Sequence, residues 1–157
     1  MATDLSTQLH ELQKSTDDLN AITDKANDVV RRAEIFLREK CRVGGWASVY
    51  IPIPEEDEDP EGGPTWETYL RYDRYKGDYR IVVEHSMDGE PHSVKPWAEC
   101  SRDIKLETLE ALPALIEELH KKVRKQIAGV QAKVDRLDSM IPSVADLDQR
   151  PSAKGKR

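Results

Sequence analysis

From residue 5 to residue 37 the seam positions recur at alternating steps of four and three: Leu5, Leu9, Leu12, Thr16, Leu19, Thr23, Ala26, Val30, Ala33 and Leu37. That alternation keeps one stripe on one side of a slowly supercoiling helix. Ile22, Val29 and Phe36 widen the stripe, so the later half is expected to be buried more broadly. No proline or glycine intervenes before Gly44-Gly45. The pattern predicts one helix over 4–41, ~50 Å long at 1.5 Å per residue, ended by the glycine pair. Its threonines and alanines thin the seam, which predicts packing against the rest of the chain as well as self-association.

The period then changes. Residues 46–54, WASVYIPIP, are rich in β-branched and aromatic types, and the prolines at 52 and 54 place the far end of this strand at a sheet edge. After an acidic stretch and Gly62-Gly63-Pro64, the runs 65–75 and 79–85 flank Lys76-Gly77-Asp78 and predict a hairpin. Three antiparallel strands in the order 1-2-3 are the minimum. Residues 87–91 read as a loop, and His92–Ala98 as a short fourth strand.

Ser101 is placed to cap a short helix from Arg102, with Asp103 in its first turn. Pro113 suits a first turn but not a helix interior, which predicts a break near 110–112. A second long helix then runs to about Met140 with the seam Ile116, Leu119, Val123, Ile127, Val130, Val134 and Leu137. The expected architecture is α+β: two long helices with matching seams, pairing antiparallel, clamp a small antiparallel sheet. The seams are satisfied within one chain or shared in a two-fold dimer. One domain is expected over 1–141, with the aperiodic tail 142–157 disordered.

Composition fits an elongated helical body: of 157 residues, 38% are hydrophobic and 34% charged. No run approaches the ~20 apolar residues that cross a bilayer, and the N-terminus has neither the basic start nor the apolar stretch of a signal peptide. A cytoplasmic protein, away from membranes, is expected. The net charge of −6 is concentrated in 55–61, which holds six acids; the remainder is balanced, which argues against nucleic acid as a partner.

Cys41, His85, His92 and Cys100 suit a Cys2His2 site by type, but no pair has ligand spacing, so neither metal nor cofactor is expected. Cys41 is expected to finish the first helix's apolar face, with both thiols reduced. His85-Ser86 and Cys100-Ser101 are adjacent in sequence, which does not build a triad, and no phosphate or dinucleotide loop is present. The acids Glu55, Glu56, Asp57, Glu58 and Asp59 lack the held geometry of acid-base catalysis. They read as a solvated loop or as one that docks a partner.

Four of the five tyrosines lie in the hairpin region, interleaved with cations. Arg71, Tyr72, Arg74, Tyr75 and Arg80 are therefore candidates for a partner-binding surface, since rigid rings and planar guanidinium groups make much contact at little entropic cost. Alternation alone would put half of them on the core face. Ser101, Arg102 and Lys105, with Trp97 nearby, form a candidate anion site at a helix N-terminus.

The run from Trp97 to Leu115, with the preceding Tyr69-Leu70-Arg71-Tyr72 and Gly77-Asp78-Tyr79-Arg80, resembles small bacterial proteins of unassigned function with a helix–sheet–helix order. The likeness spans about residues 20–120. It implies a bacterial or phage origin and carries over no activity. The function expected from the residues is a non-catalytic protein-interaction module, a regulator, adaptor or inhibitor, dimeric through its helices. The alternatives are a binder of an anionic small molecule or nucleotide, using Arg71, Arg80, Arg102 and the tryptophans, and a metal-dependent hydrolase using the acidic loop.

Overall fold

The computed structural model describes residues 4–52 and 63–141. The element order is α1 (Leu5–Ile35), continued by a π-helical turn (Phe36–Lys40); β1 (Ala47–Ile51), β2 (Trp66–Tyr75), β3 (Asp78–Met87) and β4 (Glu90–Pro96); a 3-10 turn (Trp97–Glu99); α2 (Arg102–Leu109); and α3 (Leu112–Asp138). The α+β class and this order are as the sequence predicts. The expected acidic docking loop, Glu55–Asp59, and the tail 142–157 lie outside the described residues.

The four strands form an antiparallel meander in the order β1-β2-β3-β4. Both inner hairpins close in two residues: Lys76-Gly77, with φ of 48° and 101°, and Asp88-Gly89, with φ of 52° and 81°. Positive φ at both positions is the twist-matching turn of a tight hairpin, and Gly at the second position tolerates it without a Cβ clash. The fourth strand therefore runs Glu90–Pro96 where His92–Ala98 is expected: it starts earlier, because Asp88-Gly89 turns the chain where a looser loop is expected, and it ends earlier, where Trp97 opens a 3-10 turn. Helix α1 also ends before its glycines. Arg42 takes φ 48° and the Val43 amide donates to Leu37 O at 3.2 Å, a left-handed termination achieved without glycine.

One sheet face is covered. Ala47, Ile51, Leu70, Tyr72, Ile81 and Val83 cluster with Ala26, Val30 and Leu37 of α1, Trp97, and Leu112, Leu115 and Leu119 of α3. Helix α3 lies chiefly on β1 and β2, and α1 on β3 and α2. At the π-helical turn Leu37 faces the core while Phe36 stays 57% exposed. Trp97 is sealed in this core, and its indole N–H donates to Thr108 Oγ1 at 2.9 Å.

The expected antiparallel pairing of the two long helices is not realised along their length. They face each other across a groove of about 460 Å³ lined by Phe36, Leu37, Ile116, Leu119 and Val123 among others, and among the described residues they form no extended pairing beyond it. Leu5, Leu9 and Leu12 at one helix's free end are exposed, as are Ile127, Val130, Val134 and Leu137 of the other. Only the parts that lie over the sheet find cover in one chain. Cys41, expected to finish an apolar face, is exposed at the groove.

Candidate interaction surface

Alternation along the strands puts Trp46, Ser48 and Tyr50 on the sheet face opposite the helices, beside Tyr69, Arg71 and Asp73 of β2 and Arg80, Val82 and Glu84 of β3. The register sets Tyr50 against Tyr69, and their rings meet edge to face with centroids 5.6 Å apart. The Tyr69 hydroxyl donates to Glu67 at 3.0 Å. That bond, with some burial, holds the Tyr69 phenol above its ordinary pKa.

Arg71 is the centre of this face. Its guanidinium ion-pairs with Glu84, and with Asp73 at 2.6 Å; Glu84 also accepts from the Ser86 hydroxyl at 3.1 Å. The guanidinium carbon lies 5.7 Å from the Trp46 ring centroid. Lys122 of α3 approaches the same ring at 3.6 Å and donates to Trp46 O at 2.7 Å. An arginine fixed by two carboxylates and an indole loses little freedom on contact with a partner. Val82 beneath it is only 1% exposed, so the ion-pair layer covers the apolar floor.

The five expected partner-binding residues separate. Arg71 belongs to this face. Tyr72 does not: it is 0% exposed, stacked on Tyr79 with centroids 5.6 Å apart, and burial pushes its phenol pKa up. Strand alternation sends it to the core side. Arg74 is exposed at the hairpin tip, where its Nε donates to Gly77 O at 3.2 Å. Tyr75 is half-buried there, with Lys76 Nζ 5.3 Å from its ring centroid. Arg80 is structural, its Nε donating to Glu34 of α1 at 3.2 Å. The second oxygen of Glu34 accepts the Ile81 amide at 3.0 Å. At this level β4 has ended, since its last pairing is Pro96 with Val82, and the Glu34 carboxylate serves the freed strand edge.

The expected anion site is likewise dispersed. Trp97 is 2% exposed. Lys105, 9% exposed, lays its stem in the core and its ammonium 5.3 Å from the Trp97 ring centroid. Arg102 donates to Asn20 of α1, and Ser101 occupies the N-cap position without a side-chain capping bond. The three arginines expected to line a pocket for an anion sit on β2, β3 and α2, and each has its own partner: Arg71 with Glu84, Arg80 with Glu34 and Arg102 with Asn20.

His85 and His92 lie near the far end of the sheet. Thr68 Oγ1 and His85 Nδ1 are 3.0 Å apart, and His92 meets the Trp66 ring edge-on at 5.1 Å. Cys100 Sγ is 3.5 Å from Pro96 O, and burial raises its thiol pKa. Among the described residues no three His, Cys, Asp or Glu side chains converge to hold a metal ion, and no helix is long and apolar enough to cross a membrane.

Trp46 and Tyr50 were missed as members of the surface. The signal was present: in WASVYI, Trp46, Ser48 and Tyr50 alternate with Ala47, Val49 and Ile51. No protein-family model, curated protein or solved structure matches this chain.

Proposed function

We propose that this chain is a non-catalytic protein-interaction module, cytoplasmic and of bacterial or phage origin, that acts as a regulator, adaptor or inhibitor. It works as a homodimer joined through its long helices and offers the helix-free face of the sheet to a protein partner. One observation carries the reading: Trp46, Tyr50, Tyr69 and Arg71 form a contiguous aromatic and guanidinium surface held rigid by Glu84 and Asp73. Tyr, Trp and Arg are the residues that dominate binding energy at protein interfaces, and a rigid surface spends little entropy on docking.

The test compares wild type with Tyr50→Ala/Tyr69→Ala as bait in the native host, followed by calorimetry of the purified partner against both. Loss of about 2 kcal/mol at such a pair, roughly thirtyfold in Kd, is expected, with the melting temperature of the bait little changed. A partner bound equally by both baits refutes this face.

A further inference from the structure

Each long helix carries a row of large aliphatic residues that its own chain leaves in water. On α1 the row is Leu5, Leu9, Leu12 and Leu19, exposed by 67, 57, 63 and 38%. On α3 it is Ile127, Val130, Val134 and Leu137, exposed by 61, 58, 51 and 56%. Steps of three and four make each row a helix-packing seam and not a scatter of single surface residues. Ile22, Met140 and Ile141, at 56, 68 and 66%, extend the rows. Together they offer on the order of 600 Å² of apolar side-chain surface per copy. Flanking polar residues carry this toward the ~800 Å² per partner of a standard stable interface.

The charges say which row meets which. Around the α1 row, residues 4–21 hold Asp4, Glu11, Asp17 and Asp18 against Lys14, a net charge of −3. Around the α3 row, residues 123–138 hold Arg124, Lys125, Lys133 and Arg136 against Asp135 and Asp138, a net charge of +2. Two α1 rows placed together would juxtapose acids, and two α3 rows bases, whereas unlike rows attract. At 1.5 Å per residue the α1 row, Leu5–Leu19, runs ~21 Å and the α3 row, Ile127–Leu137, ~15 Å, so the shorter row lies wholly within the reach of the longer. Among the described residues the two helices form no extended pairing beyond their groove, and the opposite charges of the two rows suit a second copy as the complement of each.

We infer that the protein is a two-fold dimer in which the acidic N-terminal half of α1 of each copy lies along the basic C-terminal half of α3 of the other. The exchange is reciprocal, so both rows of both copies are buried at once and the assembly closes at two. This specifies the dimer of the proposed function and rests on that part of the proposal alone; the sheet face stands or falls separately.

Light scattering of the full chain at micromolar concentration should give twice 17.9 kDa. Leu12→Asp and Val134→Asp should each give the monomer mass with an unchanged circular dichroism spectrum, because both positions are in water in the single chain. In a Cys41→Ser/Cys100→Ser background, a chain carrying Leu12→Cys mixed with one carrying Val134→Cys should oxidise to the mixed dimer in preference to either like pair. A monomeric wild type overturns the inference and the dimeric part of the function with it. A dimer that survives both aspartates, or that cross-links Leu12→Cys to itself, overturns this arrangement and leaves dimerisation standing.

Discussion

The two halves of α1 carry the same spacing and meet opposite fates. In the C-terminal half Thr23, Ala26 and Val30 are buried, and Leu37 of the π-helical turn that follows joins Ala26 and Val30 in the core; in the N-terminal half Leu5, Leu9 and Leu12 stand in water. Length explains part of the difference. A 31-residue helix spans ~46 Å, whereas the 10-residue strands β2 and β3 reach ~33 Å and four strands are only ~19 Å across. The helix outruns the surface that covers it. Side-chain size explains the rest, because Thr, Ala and Val let a helix approach a sheet closely, while a leucine row suits the deeper interdigitation of helix on helix. A seam shows that a face needs cover; its residue sizes indicate what kind.

Truncation on the two sides of that boundary should differ most. Leu115, 0% exposed in the covered core, loses ~2–5 kcal/mol on change to Ala, the transfer and cavity terms together. Leu12→Ala in the overhang should move stability by less than ~0.5 kcal/mol when unfolding is followed at high dilution, where copies are apart. Urea titrations of both variants at low concentration make the comparison. Equal losses would mean that the overhang is packed in the single chain.

The next effect lies at the joint between helix and sheet. Glu34→Ala removes the acceptor of the Ile81 amide and the partner of Arg80 together, and should cost ~1–3 kcal/mol through the stranded backbone N–H. Arg80→Ala should cost less, ~0.2–1 kcal/mol, because water reaches the Arg80 side chain, which is 34% exposed. Glu34→Gln, which keeps an oxygen for the amide, separates the two roles. A Glu34→Ala variant as stable as wild type would remove Glu34 from the account of how α1 is held.

Much of this was legible beforehand, and the failures have causes. Element order and the break before Pro113 follow from period and proline placement. The Asp88-Gly89 turn was legible too, as an Asp-Gly pair between two strand-like runs, within residues that read only as a loop. Arg80 and Trp97 defeated inspection of the sequence because their partners, Glu34 and Thr108, are fixed only by tertiary packing. Tyr72 was assigned to a surface by composition, where the period of two assigns it to the core. Trp46 and Tyr50 needed the β1–β2 register before their proximity to Arg71 and Tyr69 emerged.

The smallest effect is a titration confined to the sheet side of the boundary. His85 lies in β3 against Thr68, and burial lowers its pKa below the ordinary value, helped by the charges of Lys95 and His92 and opposed by Glu107. The folded state therefore resists a proton that the unfolded chain accepts near pH ~6.5. As pH falls below that value the unfolded state binds more protons, so stability declines on the acid side and is flat above it. His85→Gln keeps a group able to bond the Thr68 hydroxyl and removes the titration. Urea midpoints between about pH 7.5 and pH 5 should then slope less for His85→Gln than for wild type, while Leu12→Asp, outside the packed region, keeps the wild-type slope. Parallel lines for wild type and His85→Gln would show that His85 is as well solvated as the helical overhang, and the boundary between packed and overhanging regions would have to be redrawn at the sheet's far end.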